Sequence, residues 1–150
     1  PSAEIDPILA LSLIKQESAF REEALSVSGA MGLMQLMPFT ALDVEAGIPI
    51  SKVLGVEKNI ELGTKYLSQV LKRFNGNIVY ALGSYNAGPH RMAKWTEAKR
   101  DHWDMIDFIE AIPYRETREY VSGILRNYFW YSYRLRGDRL QSFQAMWMNP

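Results

Sequence analysis

The sequence predicts an all-α globular domain, because apolar residues recur at three- and four-residue intervals over most of the 150-residue chain. Hydrophobic residues make up 47% of it, a content typical of a packed core rather than of disorder. No alternating stretch is long enough for a strand, and residues 26–34 can form at most a very small β-hairpin. We expect residues 1–150 to form a single domain and to be a fragment of a longer chain, since neither an initiator Met nor a signal-peptide pattern is present.

The first helix is predicted to begin after Asp6, a residue type that caps helices, with Pro7 at its first position. Its apolar residues lie almost all round it, which predicts a buried helix. Glu17 falls in or near the last turn, against the negative end of the helix dipole. Partial burial and the dipole both disfavour the anion, so we expect a raised pKa for Glu17, as a general acid requires. Most glutamates at helix ends simply face water, and Glu17 alone does not decide between the two interpretations.

Six further helical segments are predicted in the rest of the chain. They cover residues 38–46, 59–74 and 78–85, a segment that begins within 92–95, and residues 103–111 and 116–136. Gly47 ends the first of these, Gly88-Pro89 closes the third, and Gly137 is the predicted C-cap of the last. Helical spacing predicts that seven aromatic residues in and just before the last helix are mainly core: Tyr114, Tyr120, Tyr128, Phe129, Trp130, Tyr131 and Tyr133.

Charge and composition exclude several classes of function. Lys and Arg total 17, as do Asp and Glu, so the basic excess of a nucleic-acid-binding protein is absent. No apolar run approaches the ~20 residues that span a bilayer, which predicts no transmembrane segment. The lack of cysteine removes disulfide and thiol chemistry and is compatible with cytoplasm or periplasm. His90 and His102 are the only histidines and have no third ligand at a metal spacing, so we predict no metal site.

Four short motifs carry the chemical information. They are Glu17 with the serine that follows it, the glycine- and methionine-rich segment 26–38, Ser-Tyr-Asn-Ala-Gly at 84–88, and Ile-Pro-Tyr-Arg-Glu-Thr-Arg at 112–118. Each has an ordinary structural explanation as well. Methionines fill irregular cores, Asn and Gly end helices, and an anion is favoured in the first turn of a helix.

Taken together and in this order, the motifs resemble those of the lytic transglycosylase catalytic domain, glycoside hydrolase family 23, whose fold is related to goose-type lysozyme. The resemblance runs from about Asp6 to Val121, and the 112–118 motif is most similar to the soluble, periplasmic branch. One departure is Ser84, where the family commonly has Ala; we expect no functional consequence. The resemblance implies a lysozyme-like helical domain, a periplasmic or cell-envelope location, peptidoglycan glycan strands as the partner and no cofactor, and it identifies no partner in the cell-wall machinery.

The resemblance also implies a role for individual residues. Glu17 matches the single catalytic carboxylic acid, and Ser26 matches a serine near the reacting sugar. Met34, Gln35 and Met37 match residues that line the glycan groove. Tyr85 and Asn86 match the pair beside the catalytic glutamate. Glu116 matches an acidic residue beneath the site, in a structural or orienting role. One or two aromatic residues of the last helix are expected to face the groove.

The implied reaction cleaves the β-1,4 bond between N-acetylmuramic acid and N-acetylglucosamine and leaves a 1,6-anhydro end, with Glu17 acting as acid and then as base. Two alternatives stay open at this point. The same fold can use water as the acceptor, as a lysozyme-type hydrolase does, or the chain can be a non-catalytic peptidoglycan-binding module. Retention of Glu17 together with Tyr85 argues against the module, because a pure binder needs no acid.

Overall fold

The computed structural model describes residues 5–137, which form eight α-helices and no β-strand. The helices are α1 (Pro7–Ser18), α2 (Pro38–Val44), α3 (Ile50–Val53), α4 (Val56–Arg73), α5 (Ile78–Ala87), α6 (Pro89–Glu97), α7 (Met105–Ala111) and α8 (Arg115–Arg136). Two isolated antiparallel bridges join Met31 to Leu25 and to Leu36. The predicted all-α fold, with at most a very small hairpin near residues 26–34, is confirmed.

The chain divides into two compact units, one that ends at Ser68 and one that begins at Gln69. The division falls within α4, so the first unit holds α1 to α3 with the start of α4, and the second holds the end of α4 with α5 to α8. The prediction of a single domain stays a prediction.

Helix α1 forms as its sequence dictates. The Asp6 side chain accepts a hydrogen bond from the backbone N–H of Ile8 at 2.9 Å, and Pro7 occupies the first helical position. The helix ends at Ser18, after which Ala19 and Phe20 both adopt the left-handed conformation with φ of 50° and 64°. This reversal fixes Glu17 in the last turn, as predicted.

Among the other helices of the first unit, α2 and α4 differ from prediction at their ends, and α3 was not predicted. α2 stops at Val44, two residues early, and the four-residue α3 is too short to produce a recognisable apolar period. α4 begins at Val56, three residues earlier than predicted, because the N–H of Asn59 already donates to the carbonyl of Gly55 at 2.7 Å. That early start places Asn59 in the first turns of a regular helix.

In the second unit, α5 packs against α6 and α8. A Cβ added at Gly83 would overlap the terminal methyl of Met92, so the Met92 side chain packs into the space that glycine leaves on α5. Gly88 separates these two helices with φ of 92°, and Pro89 starts α6 at once. The predicted helix ends are therefore displaced: α5 runs two residues further, and α6 begins before residue 92.

Helices α7 and α8 complete this unit. α7 begins at Met105, two residues after the predicted start, where Asp104 and Asp107 form a reciprocal capping box. α8 begins one residue before the predicted start and ends at Gly137, whose φ of 67° confirms it as the C-cap.

The prediction that the aromatic residues of α8 are mainly core is wrong. Tyr120 and Tyr128 are buried, whereas Tyr114 is 45% exposed and Trp130 and Tyr133 are each 55% exposed. The helix is 22 residues long, and its aromatic residues extend round to its outer face. Helical spacing alone therefore overestimated how much of this surface the fold covers.

Candidate active site

Glu17 is the penultimate residue of α1 and is partly buried. Its neighbour Ser18 is buried, and its hydroxyl donates to the carbonyl of Ile14 at 3.2 Å. The Ser18 side chain is therefore buried and bonded within the helix, whereas Glu17 supplies a partly buried carboxylate to the first unit. The position predicted for Glu17 is confirmed; its catalytic role is taken up below.

In the segment that follows α1, Ser26 stabilises a turn over residues 26–30 through two hydrogen bonds to Ala30. Its hydroxyl accepts from the N–H of Ala30 at 2.9 Å, and its own N–H donates to the Ala30 carbonyl at 2.9 Å. Gly29 turns the chain between them with φ of 89°. Because the hydroxyl is used here as an acceptor, its proton can still be donated to a ligand.

Gln35 stabilises the later part of the same segment through hydrogen bonds from its side-chain amide. Its backbone is left-handed, with φ of 47°, an unusual conformation for a residue other than glycine. Its side-chain nitrogen donates to the carbonyls of Ala24 at 3.0 Å and Gly32 at 2.8 Å. Both amide protons are thereby spent on the loop, which leaves the carbonyl Oε1 as the group that a glycan hydroxyl could contact.

Asn59 anchors this loop from α4, and sequence reasoning missed it. The side chain is 0% exposed; its nitrogen donates to the carbonyls of Met31 at 2.9 Å and Val53 at 2.8 Å, and its oxygen accepts from the N–H of Met34 at 2.7 Å. A Cβ added at Gly32 would lie 2.5 Å from the Asn59 nitrogen, so glycine is needed there for space as well as for its φ of 75°. A polar residue on the buried face of an amphipathic helix is the signal that could have identified it.

The structure corrects the prediction for Met34. Its side chain is 0% exposed, and a Cβ added at Gly63 of α4 would lie 2.8 Å from the Met34 Cβ. The side chain therefore fills the space beneath the loop that glycine leaves, and it cannot line a groove open to glycan. Met37, by contrast, is partly exposed and immediately precedes α2, so it remains available to a ligand.

In the second unit, Tyr85 and Asn86 lie in the last turn of α5, and both are partly exposed. The Asn86 oxygen accepts a 2.7 Å hydrogen bond from the hydroxyl of Thr117 on α8, a side chain that is 1% exposed. Sequence reasoning missed Thr117, although it lies in the fourth motif. Ser84 stands where the family commonly has Ala, and its buried hydroxyl is satisfied within α5, because it donates to the Tyr80 carbonyl at 2.7 Å.

Glu116 lies in the first turn of α8, as predicted, and it is exposed. Within residues 5–137 its side chain makes no hydrogen bond or ion pair, so its supporting role stays a prediction. The adjacent cations are already engaged: Arg115 pairs with Glu119 at 2.7 Å, and Arg118 donates to the Ile112 carbonyl at 2.6 Å.

Residues 5–137 contain neither a cluster of metal ligands nor a helix suited to a membrane. No group of three or more His, Asp or Glu side chains there could hold a metal ion. No helix in the same range is both long enough and apolar enough to cross a membrane.

Residues 2–106 match the family model described as the transglycosylase SLT domain. This chain belongs to that family. Among curated members, it is 37% identical over 142 residues to the soluble lytic murein transglycosylase of Escherichia coli strain K12. It is 31% identical over 153 residues to the putative soluble lytic murein transglycosylase of Haemophilus influenzae. These alignments cover 91% and 97% of this SLT-domain chain but 22% and 25% of the relatives, so the chain spans about a quarter of their length.

Solved structures agree with the family membership. The Pseudomonas aeruginosa lytic transglycosylase Slt matches this SLT-domain chain with a TM-score of 0.82 and 40% identity, over 90% of this chain and 23% of that one. The 70-kDa soluble lytic transglycosylase of Escherichia coli matches with a TM-score of 0.88 and 34% identity, over 97% and 24% of the two chains. The resemblance seen in the motifs is confirmed.

Proposed function

We propose that this chain cleaves the β-1,4 bond between N-acetylmuramic acid and N-acetylglucosamine in peptidoglycan by intramolecular transglycosylation. The observation that carries the proposal is a partly buried glutamate, Glu17, in the last turn of α1 of a transglycosylase SLT domain. The relatives are named murein transglycosylases, which supports the same substrate here.

In the proposed mechanism, one carboxyl group first donates a proton and then accepts a different one. Glu17 protonates the glycosidic oxygen as the bond to the anomeric carbon of the muramic residue breaks, and the N-acetylglucosamine portion leaves with that proton. The 2-acetamido group of the muramic residue stabilises the developing cation. Glu17, now a carboxylate, takes the proton of the muramic 6-hydroxyl. The oxygen of that hydroxyl bonds to the anomeric carbon at the same time and closes the 1,6-anhydro ring. Water is not consumed, and Glu17 returns to its starting state.

This mechanism explains why one acid suffices. Most glycosidases that hydrolyse such a bond use two carboxylates, one of which attacks the sugar or activates water. Here the substrate supplies its own nucleophile, the 6-hydroxyl, so a second carboxylate has no covalent task. The solved Pseudomonas aeruginosa relative is an inactive mutant with glutamine in place of a glutamate, which supports dependence of the reaction on a glutamate.

We assign glycan contacts to the groups that the loops leave available. In the first unit these are the Ser26 hydroxyl proton, the Gln35 Oε1 and the partly exposed Met37 side chain. In the second unit they are Tyr85 and Asn86, with Glu116 in a supporting role. The peptidoglycan substrate implies that the chain works in the cell envelope, on the periplasmic side.

Mass spectrometry of digested sacculi tests the proposal. Wild-type protein is expected to release muropeptides with 1,6-anhydro ends, and Glu17→Gln is expected to release none above background. Glu23→Gln, which removes an exposed carboxylate from the same unit, is the matched control and should leave the products unchanged.

Two outcomes would contradict the proposal. Reducing-end products heavier by one water would assign the chain to the lysozyme-type hydrolases. Equal binding of glycan by wild type and Glu17→Gln, with no cleavage by either, would assign it to the non-catalytic binding modules.

A further inference from the structure

A groove lies between α7 and α8 on the surface of the second unit, and the proposed reaction does not use it. Its volume is about 320 Å³. The floor is apolar and each rim carries a charge; the lining includes Ile106, Ile109 and Glu110 of α7 and Leu125, Arg126 and Phe129 of α8. Ile106 is 51% exposed although its side chain is apolar. The fold therefore leaves an apolar surface open to a partner at this groove.

An aromatic surface continues the groove along α8. Ser122, Arg126, Phe129 and Tyr133 follow one another at intervals of three or four residues, so they lie along one side of the helix. The Trp130 ring meets Phe129 edge-on with centroids 5.5 Å apart, and it meets Tyr133 in the same way at 6.4 Å. Trp130 and Tyr133 are each 55% exposed. Exposed aromatic rings that are held by their neighbours are typical anchors of protein interfaces.

The two charges of the groove lie on opposite rims. Glu110 is on α7, Arg126 is on α8, and both side chains are exposed. Within residues 5–137 neither of them makes a hydrogen bond or an ion pair. Neighbouring charges are already engaged, because the Asp107 carboxylate accepts from the backbone at the start of α7 and Arg118 donates to a backbone carbonyl. The groove therefore offers one acid and one base to a partner.

A second copy of this chain provides the matching charges by symmetry. A two-fold axis along the groove places the α7 rim of one copy opposite the α8 rim of the other. Glu110 of each copy then faces Arg126 of the other copy, so the contact contains two ion pairs. The same rotation brings the two apolar floors together. Charge complementarity thus favours a second copy over a partner that carries only one sign of charge.

We propose that this chain forms a two-fold symmetric dimer through the α7–α8 groove, with two reciprocal pairs between Glu110 and Arg126. Trp130 and Tyr133 pack against the other copy at the end of the contact. Burial of the apolar floor and of these rings supplies most of the affinity, and the charge pairs fix how the two copies align. The dimer goes beyond the proposed function, because no step of the reaction involves these residues.

Sedimentation velocity of the full chain tests the dimer. The sedimentation coefficient of wild type is expected to rise with protein concentration to the value for two chains. Arg126→Glu brings like charges together twice in the symmetric contact, so it should weaken association at least about tenfold, and Glu110→Arg should do the same. Arg100→Glu is the matched control, since Arg100 is an exposed cation of the same unit outside the groove, and it should associate like wild type.

Exchange of the two charges identifies the pairs and separates a lost contact from a folding defect. The double variant Glu110→Arg/Arg126→Glu again places opposite charges on the two rims and should recover the dimer. An equal mixture of the two single variants should also associate, although neither does so alone. In that mixture one chain presents two acids to the groove and the other presents two bases.

Three results would overturn the proposal. Wild type that remains a single chain at every concentration would leave the groove to a segment outside residues 5–137 or to another protein. Single charge reversals that associate as well as wild type would place the contact on another surface. Growth beyond two chains would exclude a closed two-fold arrangement.

Discussion

Replacement of Asn59 by leucine should unfold the loop that follows α1, because this one side chain pairs three buried backbone groups. Asn59→Leu removes the side-chain partner of the Met34 N–H and of the Val53 carbonyl, at 2.7 and 2.8 Å in the native structure. It also removes one of the two partners of the Met31 carbonyl, which keeps a 3.0 Å bond from the Leu36 N–H. An unpaired buried polar group costs ~1–3 kcal/mol, and the additional apolar surface of leucine returns only ~1–2 kcal/mol. We therefore expect the free energy of unfolding to fall by about 2–4 kcal/mol.

Equilibrium denaturation in urea measures this loss, and a matched variant isolates its cause. Gln69→Leu makes the same kind of change, amide to leucine, at an exposed position of the same helix, and should alter stability by no more than about 0.5 kcal/mol. Hydrogen exchange provides a local measurement, since the amide of Met34 should lose its protection in Asn59→Leu. Unfolding free energies that agree within about 0.5 kcal/mol for the two leucine variants would refute the reasoning.

Gly32→Ala tests the same contact from the opposite side. Its new Cβ would lie 2.5 Å from the Asn59 nitrogen, on a backbone with φ of 75°. The alanine variant should be destabilised on its own. Because both changes break one set of contacts, the double variant should lose less than the sum of the two single losses. Strict additivity would show that Asn59 does not act through this loop.

Two other predictions concern an oriented amide and a surface ion cluster. Thr117→Val keeps the shape of the side chain but removes the 2.7 Å hydrogen bond to Asn86, so kcat/KM for glycan cleavage should fall about five- to tenfold, with a stability loss of about 1 kcal/mol. The control is Thr96→Val, which removes a hydrogen bond to the Ala93 carbonyl within α6. Equal kinetics in the two variants would contradict an orienting role for Thr117. Hydrogen bonds from Lys65 and Lys58 lower the pKa of Glu61 from its ordinary 4.5 to about 2. Since the folded pKa is the lower one, the ion cluster should stabilise the fold fully above about pH 4.5 and lose this effect as the pH falls towards 2. The difference in melting temperature between wild type and Glu61→Gln should shrink over that range and in high salt, and a pH-independent difference would argue against it.

The sequence predicted features that depend on neighbours along the chain. Asp6 and Pro7 began α1, Glu17 lay in its last turn, and Gly137 ended α8, because caps act within one helical turn. The Gly88-Pro89 pair was harder to interpret, since the residues that stop α5 also start α6. Local signals therefore identified helices better than they identified helix ends.

Features that depend on distant partners could not be read in the same way. The burial of Met34 depends on the absence of a side chain at Gly63, and the role of Asn59 depends on Met31, 28 residues earlier. The bond between Thr117 and Asn86 spans 31 residues. Such pairings follow from the packing of helices, which a single sequence does not specify.

The self-closed turn at residues 26–30 offers a place to attach a reporter. Its shape depends on bonds between Ser26 and Ala30, while the Val27 side chain between them is fully exposed. The protein has no cysteine, so Val27→Cys would create a unique thiol without disturbing those bonds. A small environment-sensitive dye on that thiol would sit one residue from Ser26, and its emission could follow the arrival and departure of glycan in real time.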